Sequence, residues 1–200
     1  MSVTQFNVLR PLNMIEKRNF KKRRAYNDPR HAHFLTFSCW KRMPLLNKDR
    51  SRNWVIDAIS QMRINLDVSI LAYVIMPEHV HLLVYPNNDH YEIRRILAAL
   101  KSPVSRNAKK YLVENCETGW LNCLTTYHGA REVFRFWQPG GGFDENLFES
   151  KSIENVIDYI HANPVRRELV SHPSDWKWSS ARHYFGEENS VLQVDKIDFS

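Results

Sequence analysis

No stretch of this 200-residue sequence approaches the roughly 18 consecutive apolar residues that a membrane-crossing helix needs, so no membrane role is expected. The opening MSVTQFNVLRPLN lacks the apolar core of a secretory signal, and the expected compartment is the cytoplasm. Cysteine is scarce. Cys39, Cys116 and Cys123 are an odd number with no C-x-x-C pair, which excludes a disulfide scaffold or a cysteine-rich zinc ribbon and fits a reducing interior. Internal repeats and low-complexity tracts are also missing, which excludes solenoids and biased linkers.

What is present suits one compact domain. Hydrophobic residues make up 43% of the chain and charged residues 25%, enough for a buried core and against wholesale disorder. The net charge is +6, and its location matters more than its size. Residues 1–30 carry Arg10, Lys17, Arg18, Lys21, Lys22, Arg23, Arg24 and Arg30 against only Glu16 and Asp28, so the whole excess lies in this leader. A block such as EKRNFKKRR attracts a phosphate backbone by releasing condensed counterions, which makes Lys21, Lys22, Arg23 and Arg24 candidates for nucleic-acid contact. The plainer alternative is a solvated leader that keeps the chain soluble. The chain divides accordingly into a basic leader over 1–30, a folded domain over 31–186 and a tail over 187–200.

Residues 33–40 (HFLTFSCW) read as a short aromatic strand. Within residues 48–65, Trp54, Val55, Ile59 and Met62 recur at helical spacing. The nearly unbroken apolar run over 68–76 predicts a strand covered on both faces, and HVHLLVY over 79–85 a second strand joined to it by a tight turn at Pro77-Glu78. Residues 91–111 predict a long helix with Ile93, Ile96, Leu97 and Leu100 on one side and Pro103 able to kink or split it. A strand is expected over 132–137 and a loop at PGGG, residues 139–142. A helix capped by Ser152 follows, with Ile153, Val156, Ile157 and Ile160 as its stripe and Asn163-Pro164 as its end. The order β-α-β-β-α-β with an added C-terminal helix is that of the split βαβ arrangement. The expected class is therefore α+β, ferredoxin-like, with helices on one face of an antiparallel sheet and a C-terminal helical extension.

His79-Val80-His81 is the first place where chemistry is possible. On a strand, alternate side chains share a face, so both imidazoles point one way while Val80, Leu82 and Val84 point into the core. Two imidazoles so placed can hold one divalent cation, and by donor type alone zinc or manganese. His31-Ala32-His33 repeats the spacing, but at a basic loop edge with no acidic or amide neighbour to complete a site, and reads as structural or surface. On the later helix, Tyr159 lies roughly 110° from the centre of the apolar stripe and Asn163 about 40° from Tyr159, so the two share a flank. A helix lying on a sheet can present that flank to a cleft; a half-buried tyrosine whose hydroxyl simply reaches water is the other reading. His161, on the opposite side, reads as structural or as a phosphate contact. Trp176, Trp178, Ser179 and Ser180 read as packing against the helix, and Cys39 as a core thiol.

The string MPEHVHLLV, preceded by HFLTFSCWKRMPLL, resembles the metal-binding half of the single-tyrosine HUH transposases, where HUH means His-hydrophobic-His. DYIHANPVRRELVSHPSDWKWSSARHY resembles the other half, above all in the REP-associated tyrosine transposases, and FWQPGGGFDENLF is similar to the family's WQ-x-x-F stretch. The resemblance runs from about His33 to Tyr184. It implies a DNA transposase and endonuclease that nicks and rejoins single-stranded hairpin DNA through a 5′-phosphotyrosine intermediate. It further implies His79 and His81 as metal ligands, Asn163 as an amide ligand, Tyr159 as the nucleophile, Mg2+ or Mn2+ as the metal, a homodimer or a monomer, and a nucleoid-associated place in the cell. Two departures stand out: PGGGFDENL lacks the basic residue the family often shows after WQ, and the insertion around 114–126 has no family counterpart.

The implied chemistry is coherent. A phenol with a pKa near 10 is a poor nucleophile at neutral pH, so a cation has to polarise the phosphate. Unpaired DNA is gripped by aromatic and cationic side chains, for which Tyr85, Arg94, Arg95, Lys101, Arg106 and the leader are candidates. A domesticated relative that grips hairpin DNA without transposing it is the alternative. A nucleotide hydrolase of the histidine-triad kind is excluded, because its third histidine would stand where Leu83 does.

Overall fold

The structure, a computed structural model, describes residues 27–187 and 189–196. At its centre is a four-stranded antiparallel sheet in which β1 (Ala32–Ser38) lies between β3 (His79–Pro86) and β6 (Phe143–Leu147), with β2 (Val68–Ile75) on the far side of β3. α1 (Asp49–Asn65) links β1 to β2, and α2 (Ile93–Glu114) follows β3. Strands β1 and β2 are not neighbours, because β3 inserts between them. This is the split βαβ arrangement and the α+β class expected from the element order.

Period-two alternation sorts the side chains between two cores. On one face, Leu35 and Phe37 of β1 and Val80, Leu82 and Val84 of β3 pack with Val55, Ile59 and Met62 of α1 and Ile96, Leu100 and Val104 of α2. On the other, Phe34, Leu83, Ala72 and Val74 receive Ile153, Val156 and Ile160 of α4 (Ser150–Arg166). Burial of each of these three α4 side chains is worth about 1.5–3 kcal/mol, and that stripe seats the helix. It packs chiefly over β2 and β3, and its flank toward β1 carries Tyr159 against Phe34.

The outer edge of β2 is covered by chain from much later in the sequence. The Ile75 N–H donates to the Trp178 carbonyl (2.8 Å) and the Ser180 N–H to the Tyr73 carbonyl (3.0 Å), while the Tyr73 N–H donates to Ser180 Oγ (2.9 Å). The WSS string thus adds a short length of backbone to the sheet, which removes an exposed edge, and leads into α5 (Ala181–Tyr184). Beyond residue 186 the chain still contributes to the core. Val191, Leu192 and Val194 pack on the α1/α2 side, and Asp195 exchanges hydrogen bonds with the backbone of Ile70 (2.7 and 2.8 Å).

The strand expected over 132–137 is not part of the main sheet. Arg131–Phe134 forms β5, paired with β4 (Thr125–His128) in a separate hairpin that follows a short helix, α3 (Thr118–Leu124). The fourth strand of the main sheet is instead the polar FDENL of β6. Its selection depends on partners: Asp144 pairs with Leu35 in register, and its carboxylate accepts from Nδ1 of the buried His33 at 2.9 Å. A polar residue with one carboxylate oxygen so paired stands where an apolar one was sought. Helix α2 runs unbroken through Pro103. Helix α4 starts at Ser150 and passes Asn163-Pro164, its expected end, to reach Arg166. Pro164 forfeits only one bond, that to the Ile160 carbonyl. The N–H groups of Arg167, Glu168 and Leu169 close the terminus on the carbonyls of Asn163, Val165 and Pro164. The added turn carries Arg166 and Arg167 beyond Tyr159.

Candidate active site

Both histidines of β3 emerge on the face that carries α4, and both are nearly buried, at 9% and 5% exposure. Their Nε2 atoms face each other 3.0 Å apart, with the rings nearly perpendicular. Each ring is held from behind. His79 Nδ1 lies 3.0 Å from Glu78 Oε1, and His81 Nδ1 lies 2.7 Å from Thr36 Oγ1 on the neighbouring strand. A nitrogen facing a carboxylate must carry the proton, so His79 presents its Nε2 lone pair toward His81. Burial lowers the pKa of His79 below the usual imidazole value, opposed by the Glu78 carboxylate beside it. Burial, aided by the neighbouring His79, pushes His81 down to about 3, with a hydrogen bond to the Asn163 carboxamide opposing. With both imidazoles held below the ordinary range, the neutral form, which is the form that ligates a metal, prevails at neutral pH.

Tyr159 comes to the same place from α4. Its ring centroid lies 5.4 Å from that of His81 and 5.9 Å from that of Phe34, edge-on to both. The side chain is half-buried, and the guanidinium carbon of Arg166 stands 5.5 Å above its ring. Asn163, one turn on, donates from its carboxamide to the Tyr159 carbonyl at 2.7 Å and is buried against His81. The structure therefore brings His79, His81, Tyr159 and Asn163 together in one chain.

Two facing imidazole nitrogens beside a carboxamide could hold one divalent ion. Two ligands at right angles around an ion about 2.1 Å from each lie ~3.0 Å apart, the separation found between the two Nε2 atoms. Among the described residues no group of three His, Cys, Asp or Glu side chains could hold a metal. Zinc's usual closed ligand set is thus missing there, and an ion would draw on His79, His81 and the Asn163 carboxamide while keeping water or substrate oxygens.

The cations expected to contact DNA are not gathered here. Arg94, Arg95 and Arg106 lie on α2, which packs on the opposite face of the sheet from the two histidines, and Arg94 pairs with Glu92 at 2.7 Å. Lys101 donates to the carbonyls of Gln138 (3.1 Å) and Gly140 (2.8 Å), tying down the glycine loop. Burial lowers the pKa of its ammonium. Tyr85 is half-buried against the α4 side of the sheet. Lys21, Lys22, Arg23 and Arg24 lie outside the described residues.

His33 does have the acidic neighbour that the sequence reading denied it. Its Nδ1 meets Asp144, a residue 111 positions away, and its Nε2 meets the Tyr91 hydroxyl at 2.6 Å, on the side away from His81. His161 is buried, with Nε2 2.8 Å from Ser180 Oγ. Trp178 is buried in the α1/α2 core and Trp176 packs against both cores, and the Cys39 thiol is fully buried, its pKa pushed up to about 12 by burial. The residues that sequence reasoning missed are Glu78, Thr36, Arg166 and Arg167. Arg166 was findable, since it stands seven positions beyond Tyr159 on the same helical flank.

Residues 28–163 match the family model described as "Transposase IS200 like". The chain is 30% identical over 142 residues to a protein of Haemophilus influenzae described provisionally as a REP-associated tyrosine transposase, a match covering 66% of this chain and 74% of that one. It is 23% identical over 124 residues to the REP-associated tyrosine transposase of Escherichia coli, covering 62% of this chain and 60% of that protein. A solved structure of a REP-associated tyrosine transposase bound to a REP hairpin has the same fold, with a TM-score of 0.61 at 19% identity over 90% of this chain and 94% of that one.

Proposed function

This chain belongs to the IS200-like transposase family, and on that premise we propose that it nicks and rejoins single-stranded hairpin DNA through a covalent bond between Tyr159 and a 5′ phosphate. His79, His81 and Asn163 would hold the divalent cation, Mg2+ or Mn2+. Bound there, the ion would polarise the scissile phosphate and offset the charge that builds on it. The observation that carries this reading is the meeting of the Tyr159 ring, 5.4 Å from His81, with two facing imidazole nitrogens 3.0 Å apart.

The chain's own residues account for the rest. The Tyr159 oxygen loses its proton to solvent and attacks phosphorus; the bond to the 3′ oxygen breaks, and that oxygen takes up a proton. The new phosphotyrosine keeps the energy of the broken bond, so a 3′-hydroxyl can reverse the step and rejoin a strand without ATP. Arg166, over the Tyr159 ring, adds positive charge where the phenol and the phosphate meet. Phe34 and His81 hold the ring edge-on and restrict its motion. Because Tyr159 and the histidines meet within one chain, the reading needs no second subunit to complete the site. The hairpin as substrate is supported by the related protein solved with a REP hairpin.

The test uses a labelled hairpin oligonucleotide with and without Mn2+. Cleavage and a covalent protein–DNA adduct are expected with the metal and lost on chelation. His81→Ala should lower the rate by more than the roughly 10- to 100-fold that loss of a partner behind a ligand costs. Metal-independent cleavage, or full activity in His81→Ala, overturns the reading; tight hairpin binding with no adduct under any metal makes the chain a binding module instead.

A further inference from the structure

Glu78 touches both halves of this site. It occupies the turn between β2 and β3, immediately before His79, and is only 8% exposed. Its backbone is fixed, since the Cys39 N–H donates to its carbonyl at 2.8 Å and the Leu46 N–H to that of Pro77 at 2.9 Å. On that rigid base one carboxylate oxygen, Oε1, accepts two bonds: from His79 Nδ1 at 3.0 Å and from Arg167 Nη1 at 2.9 Å. Arg167 is the C-cap of α4, the helix that carries Tyr159 and Asn163, and its own N–H donates to the Asn163 carbonyl at 3.1 Å. A chain of direct contacts therefore runs from the imidazole of β3, through a single carboxylate oxygen, to the end of the nucleophile's helix.

We propose that Glu78 is a positioning residue with two tasks: it fixes His79 in the tautomer whose Nε2 faces His81, and through Arg167 it sets the seat of the Tyr159 helix over the two histidines. The inference rests on the reading of Tyr159, His79 and His81 given above. The physical grounds are geometric. The apolar stripe of α4 holds the helix on the sheet but is tolerant of small slides, whereas a charge-assisted hydrogen bond to a buried carboxylate has one short length and a narrow range of angles. A partner behind a metal-binding imidazole fixes both its tautomer and its ring orientation. Here the same oxygen does both, so the direction of the His79 lone pair and the reach of Tyr159 are set against one reference point.

The two tasks separate experimentally. Full-length parent, Glu78→Gln, Arg167→Met, Arg167→Lys and the Glu78→Gln/Arg167→Met double variant are compared by Mn2+ binding without DNA, followed by electron paramagnetic resonance. The rate of adduct formation on a hairpin oligonucleotide at saturating Mn2+ and the melting temperature complete the comparison. Glu78→Gln should weaken Mn2+ binding by about 10- to 100-fold, the usual scale for a partner behind a ligand. Arg167→Met should leave Mn2+ affinity within about threefold of the parent yet slow adduct formation about tenfold or more, a misplacement effect. Arg167→Lys should recover part of that rate. The double variant should react no more slowly than Glu78→Gln alone, because both changes break one linkage.

Parent-like Mn2+ affinity in a Glu78→Gln protein that melts like the parent overturns the proposal, as does a parent-like adduct rate in Arg167→Met. So does a double variant whose loss is the product of the single losses. If Glu78→Gln does not fold, the two half-exposed Arg167 variants decide alone through the split between affinity and rate. His79→Ala and Tyr159→Phe serve as references. Retained Mn2+ affinity in the first, or retained adduct in the second, removes the underlying reading of the site. Expected losses in both, with parent-like Glu78 and Arg167 variants, remove the positioning proposal alone.

Discussion

His161 follows Tyr159 by two residues and points away from it, and the difference in surroundings gives the two opposite characters. Its Nε2 lies 2.8 Å from Ser180 Oγ, its ring leans on Tyr184, and burial pulls its pKa down to about 4. Unfolded, the same imidazole titrates near the ordinary value of 6.5. Between these limits the unfolded chain binds the extra proton, so stability rises with pH across the window: it is complete above about pH 6.5 and lost on acidification toward pH 4. At full extent this one group accounts for up to about 3 kcal/mol. His81, held down to about 3, acts in the same direction. The melting temperature should fall steadily from pH 6.5 to 4, and His161→Gln should flatten part of that fall; a parent profile level across the window would contradict the assignment. At this scale helical arithmetic made Tyr159 and Asn163 legible as neighbours, and strand alternation did the same for His79 and His81. Glu78 and Thr36 were not legible, because what stands behind an imidazole depends on turn geometry and strand register. Neither leaves a spacing in the sequence.

Among the elements, the long apolar ones were legible and the polar ones were not. β2 and β3 announce themselves by hydrophobic runs. β6 does not, because FDENL earns its place through register: Asp144 opposite Leu35, and Phe143 opposite Thr36. The loop leading into β6 has its own requirement. Gly142 has φ +83°, and a Cβ there would collide with the Thr36 carbonyl oxygen on β1. Thr36 is also the residue whose hydroxyl meets His81 Nδ1 at 2.7 Å. Gly142→Ala should therefore lose about 2 kcal/mol or more of stability by differential scanning calorimetry and weaken Mn2+ binding as well, since β1 must shift under the site. An alanine variant that melts and binds Mn2+ as the parent does would show the loop free to move aside. The proline in α4 teaches the complementary lesson. The rule that proline ends a helix rests on clash and a lost bond, and both are tolerable in the final turn, where the terminal carbonyls find partners in the next three N–H groups.

For the molecule as a whole, the sheet divides the labour: α1 and α2 make the larger core on one side, while α4 presents its flank beside the histidines on the other. That the β-α-β-β-α-β order predicts this sheet is a consequence of short connections and period-two patterning. The docking of residues 178–180 and 191–195 on β2 could not be read, because nothing local marks which distant edge a segment will cover. The net charge of +6 is likewise a property of the whole chain concentrated in one segment. Replacing Lys21, Lys22, Arg23 and Arg24 together by alanine should reduce the slope of log affinity for a hairpin against log salt by roughly three, from counterion release at four phosphates; an unchanged slope would make the leader a solvated appendage. The central claim, that the phenol of α4 is the atom that takes the DNA, is tested most directly by mass-spectrometric mapping of the peptide cross-linked to a hairpin oligonucleotide in the presence of Mn2+. The account predicts a single nucleotide-bearing peptide modified at Tyr159 and no such peptide from Tyr159→Phe; a DNA link at any other residue, or an undiminished adduct in the phenylalanine variant, would contradict it.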